Sequence, residues 1–190
     1  MSENPLRSLA SLWLIIALCI APVAASYLAY YFFVPGGQVN YGELIETRPL
    51  PSARLQLIDG SNFGFEQLRG KWLLLMTHGG ACPAECQKKL FALRQLRLTQ
   101  GREMNRIERV WLISDAATPT VESIAPFAGT WFVRAAASEL LNALPADSVP
   151  ADYFYLVDPL GNLVLRYPVD ADPSRIIKDL ARLLKASRIG

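Results

Sequence analysis

Hydrophobic and polar positions divide this chain into one long uncharged run, then short apolar stretches separated by polar turns. The long run, residues 8–34, holds about 27 positions without Asp, Glu, Lys or Arg. As a helix it would extend roughly 40 Å, more than the ~30 Å hydrocarbon core of a bilayer. Trp13 near one end, and Tyr27, Tyr30, Tyr31, Phe32 and Phe33 near the other, fall where interfacial aromatic belts form. The pattern predicts a transmembrane helix, with a kink at Pro22 and tilt to absorb the excess length. The small residues Val23-Ala24-Ala25 before Ser26 match a signal-peptidase site, but the apolar run continues to Val34. That length favours an uncleaved anchor.

Beyond the anchor, residues 35–50 carry prolines and glycines and read as an extended tether. Residues 54–58 alternate as a half-buried strand and end at the turn pair Asp59-Gly60; residues 63–71 read as a helical turn. Two largely apolar runs follow, at 72–76 and at 109–113 (the second opening on Arg109), and suit strands covered on both faces; residues 130–133 read as another strand. Between the first two, residues 83–100 place Leu90, Leu93, Leu96 and Leu98 among Lys88, Lys89, Arg94 and Arg97, an amphipathic helix with a solvated basic face. Further helices are expected from Thr118-Pro119, over 135–144, and over 176–185 after Asp172-Pro173, with Ile177, Leu180, Leu183 and Leu184 inward. Residues 153–157 and 163–167 form a hairpin across the 158–161 turn. Alternating strands and helices predict an α/β fold: a parallel central sheet flanked by helices, with the antiparallel hairpin on one edge. The division is 1–7 as a short cytoplasmic N-terminus, 8–34 as anchor, 35–50 as linker and 51–190 as the folded domain.

Charge adds one exclusion. With 19 basic and 17 acidic residues the chain is near balance, and no basic cluster marks it as a nucleic-acid binder. Arg7 and the α-amine precede the apolar run, and the far side has no Lys or Arg until Arg48. The asymmetry predicts a single-pass protein whose bulk lies outside the cytoplasm, in the periplasm for a bacterial inner membrane. There a thiol pair can be oxidised.

The candidate chemistry is Cys82-Pro-Ala-Glu-Cys86, placed after an apolar strand and the turn His78-Gly-Gly-Ala81, at the start of a helix. Thiols four residues apart lie one helical turn from each other and can face the same side. Unpaired N–H groups and the helix dipole at that end favour a thiolate, which makes Cys82 the more acidic of the two. Cys19 lies in the apolar run and cannot meet them, so the arithmetic is two plus one. A bridge closing so short a loop removes little unfolded-state entropy, which favours working chemistry over a structural staple.

Three readings of the pair remain open. In thiol–disulfide exchange, Cys82 attacks a partner disulfide and Cys86 resolves the mixed disulfide. In copper handling, the soft thiolates of Cys82 and Cys86 select Cu(I), and His78, the lone histidine, is an optional third ligand. In the third, the pair is a vestigial bridge in an assembly or scaffolding subunit. Peroxide reduction is excluded by the lack of a Pro-x-x-x-Thr-x-x-Cys pattern.

Leu68-Arg-Gly-Lys-Trp-Leu-Leu-Leu, the Cys82/Cys86 spacing with Pro83, and the late Tyr155-Leu-Val-Asp-Pro-Leu-Gly resemble the Sco/SenC proteins over about residues 50–185. The resemblance implies a membrane-anchored thioredoxin-like fold and a role in cytochrome c oxidase assembly. It implies Cu(I) as cargo and, as partner, a protein with a cysteine pair or copper site, such as an oxidase subunit. It also implies a histidine ligand just before the late hairpin; that place falls at about Pro150, so the third ligand is absent there. A proline near that place resembles the one that thioredoxins hold opposite their cysteines.

Overall fold

The computed structural model describes residues 5–32, 40–187 and 189, with side chains from residue 11 onward. Two compact units divide at Val39/Asn40. The first contains helix α1, Pro5–Phe32, which runs unbroken through Pro22. Its stretch Ser11–Phe32 has a mean hydropathy of 2.2 and none of it is buried in the chain. This helix is long and apolar enough to cross a membrane. Of the predicted span 8–34, Phe33 and Val34 lie outside the described residues, as do residues 1–4 of the predicted N-terminal segment.

The second unit is built on an eight-stranded sheet. Its strands are β1 Glu43–Pro49, β2 Leu55–Leu57, β3 Asn62–Phe63, β4 Trp72–His78, β5 Ile107–Ile113, β6 Thr130–Arg134, β7 Tyr153–Val157 and β8 Asn162–Pro168, in the spatial order β1-β8-β7-β4-β5-β6-β2-β3. The β4–β5 and β5–β6 pairs are parallel and the others antiparallel. Helices α2 Ala84–Leu98 and α5 Pro173–Ala186 supply residues to one face; α3 Val121–Ile124 and α4 Glu139–Ala143 are short.

Two cores follow from the two-residue period of β4. Leu74 and Met76 join Leu90, Leu93 and Leu96 of α2 and Ile176, Leu180 and Leu184 of α5. Leu73 and Leu75 join Leu68, Leu140 and Leu144 on the opposite face. Burial on both faces is why β4 is apolar at consecutive positions.

Several expectations are corrected. Within the segment read as a tether, residues 43–49 form β1, which pairs antiparallel with β8 through a register shift between Leu44 and Arg48. Residues 35–39 of that segment lie outside the described residues. The hairpin is therefore not on the edge: β7 lies between β4 and β8, and β1 is outermost. The 135–144 helix shrinks to α4, because the Ala135 N–H still donates to Ile113 O at 2.9 Å and Ala137 takes a left-handed φ of 56°. The 118–125 helix begins later: the Thr120 hydroxyl caps it by accepting from the Ser123 N–H, while the Thr118 hydroxyl accepts from Arg134. Leu98 is exposed, and Ile177 is half-buried where Ile176 is buried.

The start of the unit is tied to α5. Asp179 is buried, and its Oδ2 accepts from the Tyr41 N–H at 3.1 Å, the Gly42 N–H at 3.0 Å and the Tyr167 hydroxyl at 3.0 Å. The Arg175 guanidinium lies 4.0 Å from the centroid of the Tyr41 ring. On the outer edge, Arg166 of β8 joins Glu43 of β1 at 2.6 Å to Asp147 at 2.7 Å.

Candidate functional site

Strand β4 ends at His78, whose carbonyl accepts from the Ser114 N–H at 3.1 Å and from Trp111 Nε1–H at 3.2 Å. The chain then turns through Gly79-Gly80. A Cβ at Gly80 would collide with the carbonyl of Ala117, so glycine is required for this close approach. Asp115, just past the end of β5, holds the turn: its Oδ1 accepts from the Gly80 N–H at 2.8 Å and from the Ala117 N–H at 3.0 Å. Asp115 is a site residue that sequence reasoning missed. Its signal was its place at the carboxyl end of the strand beside β4, where α/β sheets build their sites.

Cys82 follows with φ 41°, a left-handed conformation that is costly for a residue with a Cβ. Its N–H donates to Gly79 O at 3.3 Å, closing the turn. Pro83 is the N-cap of α2 and offers no side-chain cap to the first N–H groups of the helix.

Cys82 and Cys86 are joined in a disulfide, with Cα atoms 5.0 Å apart. Both are buried, at 4% and 0% exposure, in the core cluster that contains Met76, Trp111 and Phe154. Cys19 is exposed on α1 and unpaired, in keeping with two plus one.

His78 is half-buried, with Nδ1 3.2 Å from Gly79 O. Among the described residues, no three His, Cys, Asp or Glu side chains form a metal-holding group. The exposed carboxyl of Glu85 is held below its usual range, first by its hydrogen bond from Lys89 and by that charge, and in smaller part by His78.

Lys89 departs from the solvated basic face expected of this helix. It is 7% exposed, three residues after Cys86 on the same face. Its Nζ donates to Ala151 O at 2.9 Å and lies 2.9 Å from Glu85 Oε1. The lysine thereby fastens the cysteine helix to the 3-10 turn Pro150–Asp152 that leads into β7. Pro150 starts that turn, and all peptide bonds among the described residues are trans.

Comparison with known proteins fits this arrangement. The family described as transmembrane-like, thioredoxin-like, C-terminal domain matches residues 72–187. The chain belongs to this family. No curated protein sequence matches it. Among solved structures, yeast Sco1 with copper bound is 21% identical, with a TM-score of 0.59 over 74% of this chain and 96% of that one. Bradyrhizobium japonicum ScoI with copper bound is 16% identical, with a TM-score of 0.55 over 71% and 99%. BsSco, described as a member of the Sco family of cytochrome c oxidase assembly proteins with a disulfide switch, is 17% identical, with a TM-score of 0.58 over 80% and 100%. The Sco/SenC resemblance read from the sequence is borne out in the fold.

Proposed function

We propose that this protein is a membrane-anchored thiol–disulfide exchange factor, acting on the cysteines of a protein partner during cytochrome c oxidase assembly. The observation that carries the reading is the Cys82–Cys86 disulfide at the uncapped start of α2. In the reduced protein, the helix N-terminus favours a thiolate at Cys82. That thiolate attacks one sulfur of the partner disulfide, forming a mixed disulfide and releasing one partner thiolate. Cys86 then attacks Cys82 Sγ, which frees the second partner thiolate and closes the disulfide seen here. The partner gains two electrons; a thiol reductant of the same compartment must return them to this protein. The oxidase context comes from the Sco-like fold, and the periplasmic placement from the charge asymmetry around α1.

A second reading, delivery of Cu(I), rests on the chemistry of the same two sulfurs. It belongs to the reduced state, because a disulfide offers no thiolate to a metal. Two thiolates suit linear Cu(I), and His78 is the one imidazole available to join them.

The test is a pair of measurements on the full-length protein in detergent. Cys86→Ser is expected to accumulate a mixed disulfide with the physiological partner, and Cys82→Ser to abolish exchange. Failure of Cys86→Ser to trap any partner, with oxidase assembly normal after deletion of the protein, overturns the proposal. Cu(I) titration of the reduced wild type and of His78→Ala separates the second reading: equal affinity in both removes His78 from the ligand set.

A further inference from the structure

Arg109 is a charge in the middle of an apolar face. Strand alternation points it the same way as Ile107, Trp111 and Ile113, which all belong to the core under α2. It is 4% exposed. Its Nη2 donates to Ala128 O at 2.8 Å, but Nε and Nη1 are closed off from solvent and have no partner. A guanidinium stays charged in proteins and carries five N–H donors. Burying it with donors unpaired is strongly unfavourable, and such a group points to a partner that completes it.

Two more cations stand close. Arg97 of α2 donates from Nε to Ile107 O at 2.7 Å, which brings its side chain to the start of β5, two residues from Arg109. Arg94 lies one turn earlier on the same helix. Burial is the main cause that lowers the pKa of Arg109, and the charges of Arg97 and Arg94 push it further the same way. Glu108 acts in the opposite direction, but its carboxylate accepts from Trp131 Nε1–H. Among the described residues, none of the three arginines forms an ion pair. Gly129 completes the surroundings: it has φ +78°, and a Cβ there would stand 3.3 Å from Arg109 Nη2.

We propose that Arg109, Arg97 and Arg94 form a binding site for a phosphate-type oxyanion beside the Ala128–Gly129 turn. A tetrahedral oxyanion supplies acceptors to several guanidinium forks at once and cancels the local excess charge. The site lies at the starting end of β5, whereas the disulfide follows the carboxyl end of β4, so the two are at opposite ends of parallel neighbours. The oxyanion therefore takes no part in thiol exchange. Its source is either free phosphate or the phosphate of a lipid headgroup.

The experiment is thermal unfolding of the full-length protein in neutral detergent, with inorganic phosphate titrated against chloride at matched ionic strength. Phosphate is expected to raise the midpoint saturably, by about 3–5 °C at tenfold its dissociation constant. In Arg94→Gln/Arg97→Gln, whose exposed and half-exposed side chains can be changed without opening the core, the phosphate shift is expected to fall to that of chloride. Thiol–disulfide exchange should be unchanged. A second arm adds phosphatidylglycerol or phosphatidylcholine to the detergent. Loss of the phosphate shift with the anionic lipid identifies the headgroup as ligand; a shift retained in both identifies free phosphate. Equal shifts with phosphate and chloride, or a phosphate shift that survives in the double variant, overturn the site. Stabilisation by a polyglutamate peptide without any by phosphate also overturns it and assigns the surface to an acidic protein.

Discussion

Replacing Lys89 by methionine removes the fastening between the cysteine helix and the turn before β7. Methionine keeps an unbranched apolar stem of similar length, so the perturbation is chiefly the loss of the ammonium. That ammonium donates to Ala151 O at 2.9 Å. A hydrogen bond from a charged donor contributes about 1.5–3 kcal/mol, and relief from burying the charge returns part of this. The net expectation is a destabilisation of about 1–2 kcal/mol, or about 2–8 °C in melting temperature for a chain of this size. Glu85 is the control, because its carboxylate is 72% exposed and its side of the ion pair is screened by water. Glu85→Gln should melt close to the wild type. Hydrogen exchange supplies the local readout: the Asp152 N–H, which donates to Val149 O at 3.0 Å, should exchange faster in Lys89→Met. A variant with wild-type melting and unchanged exchange at that amide would refute the fastening role.

Two further outcomes follow from the outer edge of the sheet. Gly42→Ala places a Cβ 2.5 Å from Cε1 of the buried Tyr167 ring, so the variant should lose about 1–3 kcal/mol in urea unfolding; a wild-type midpoint would show that the ring can yield. Asp147 is exposed, and the hydrogen bond from Arg166 holds its carboxyl below the usual range. Its contribution is present above the ordinary carboxylate pKa of about 3.9 and is lost as pH falls through the lower folded value. Asp147→Asn should therefore close the gap to wild type in melting temperature between pH 5 and pH 3, and a gap that widens toward acid would contradict the sign.

What was legible in the sequence was what apolar continuity encodes. The runs at 72–76, 109–113 and 130–133 became β4, β5 and β6, and the leucines at 90, 93 and 96 became the inner face of α2. The proximity of the cysteines followed from their spacing and from a glycine turn needing no side-chain room. The misses share another cause. β1 is exposed along most of its length, so its residues carry no alternation and its pairing depends on β8, more than a hundred positions away. Lys89, Arg109 and Asp179 are buried charges, and a charged letter reads as surface unless its partner is known. For Lys89 that partner is a backbone carbonyl 62 positions on, and no local pattern announces it. Asp115 was hidden for the same reason, since it meets Gly80 across two strand ends.

The strand at 43–49 has a practical corollary for any released form of the domain. A cut at Pro51, where the residue pattern alone would place the boundary, strips β1 from β8 and leaves a row of ladder groups on β8 without partners. Bare strand edges recruit other chains, and this fragment would also lose the Tyr41 and Gly42 N–H donors to Asp179 Oδ2. Dimers or precipitation seen with such a fragment would record the position of the scissors. A fragment that begins at Asn40 keeps its border intact, and its state of association is the one that speaks for the protein.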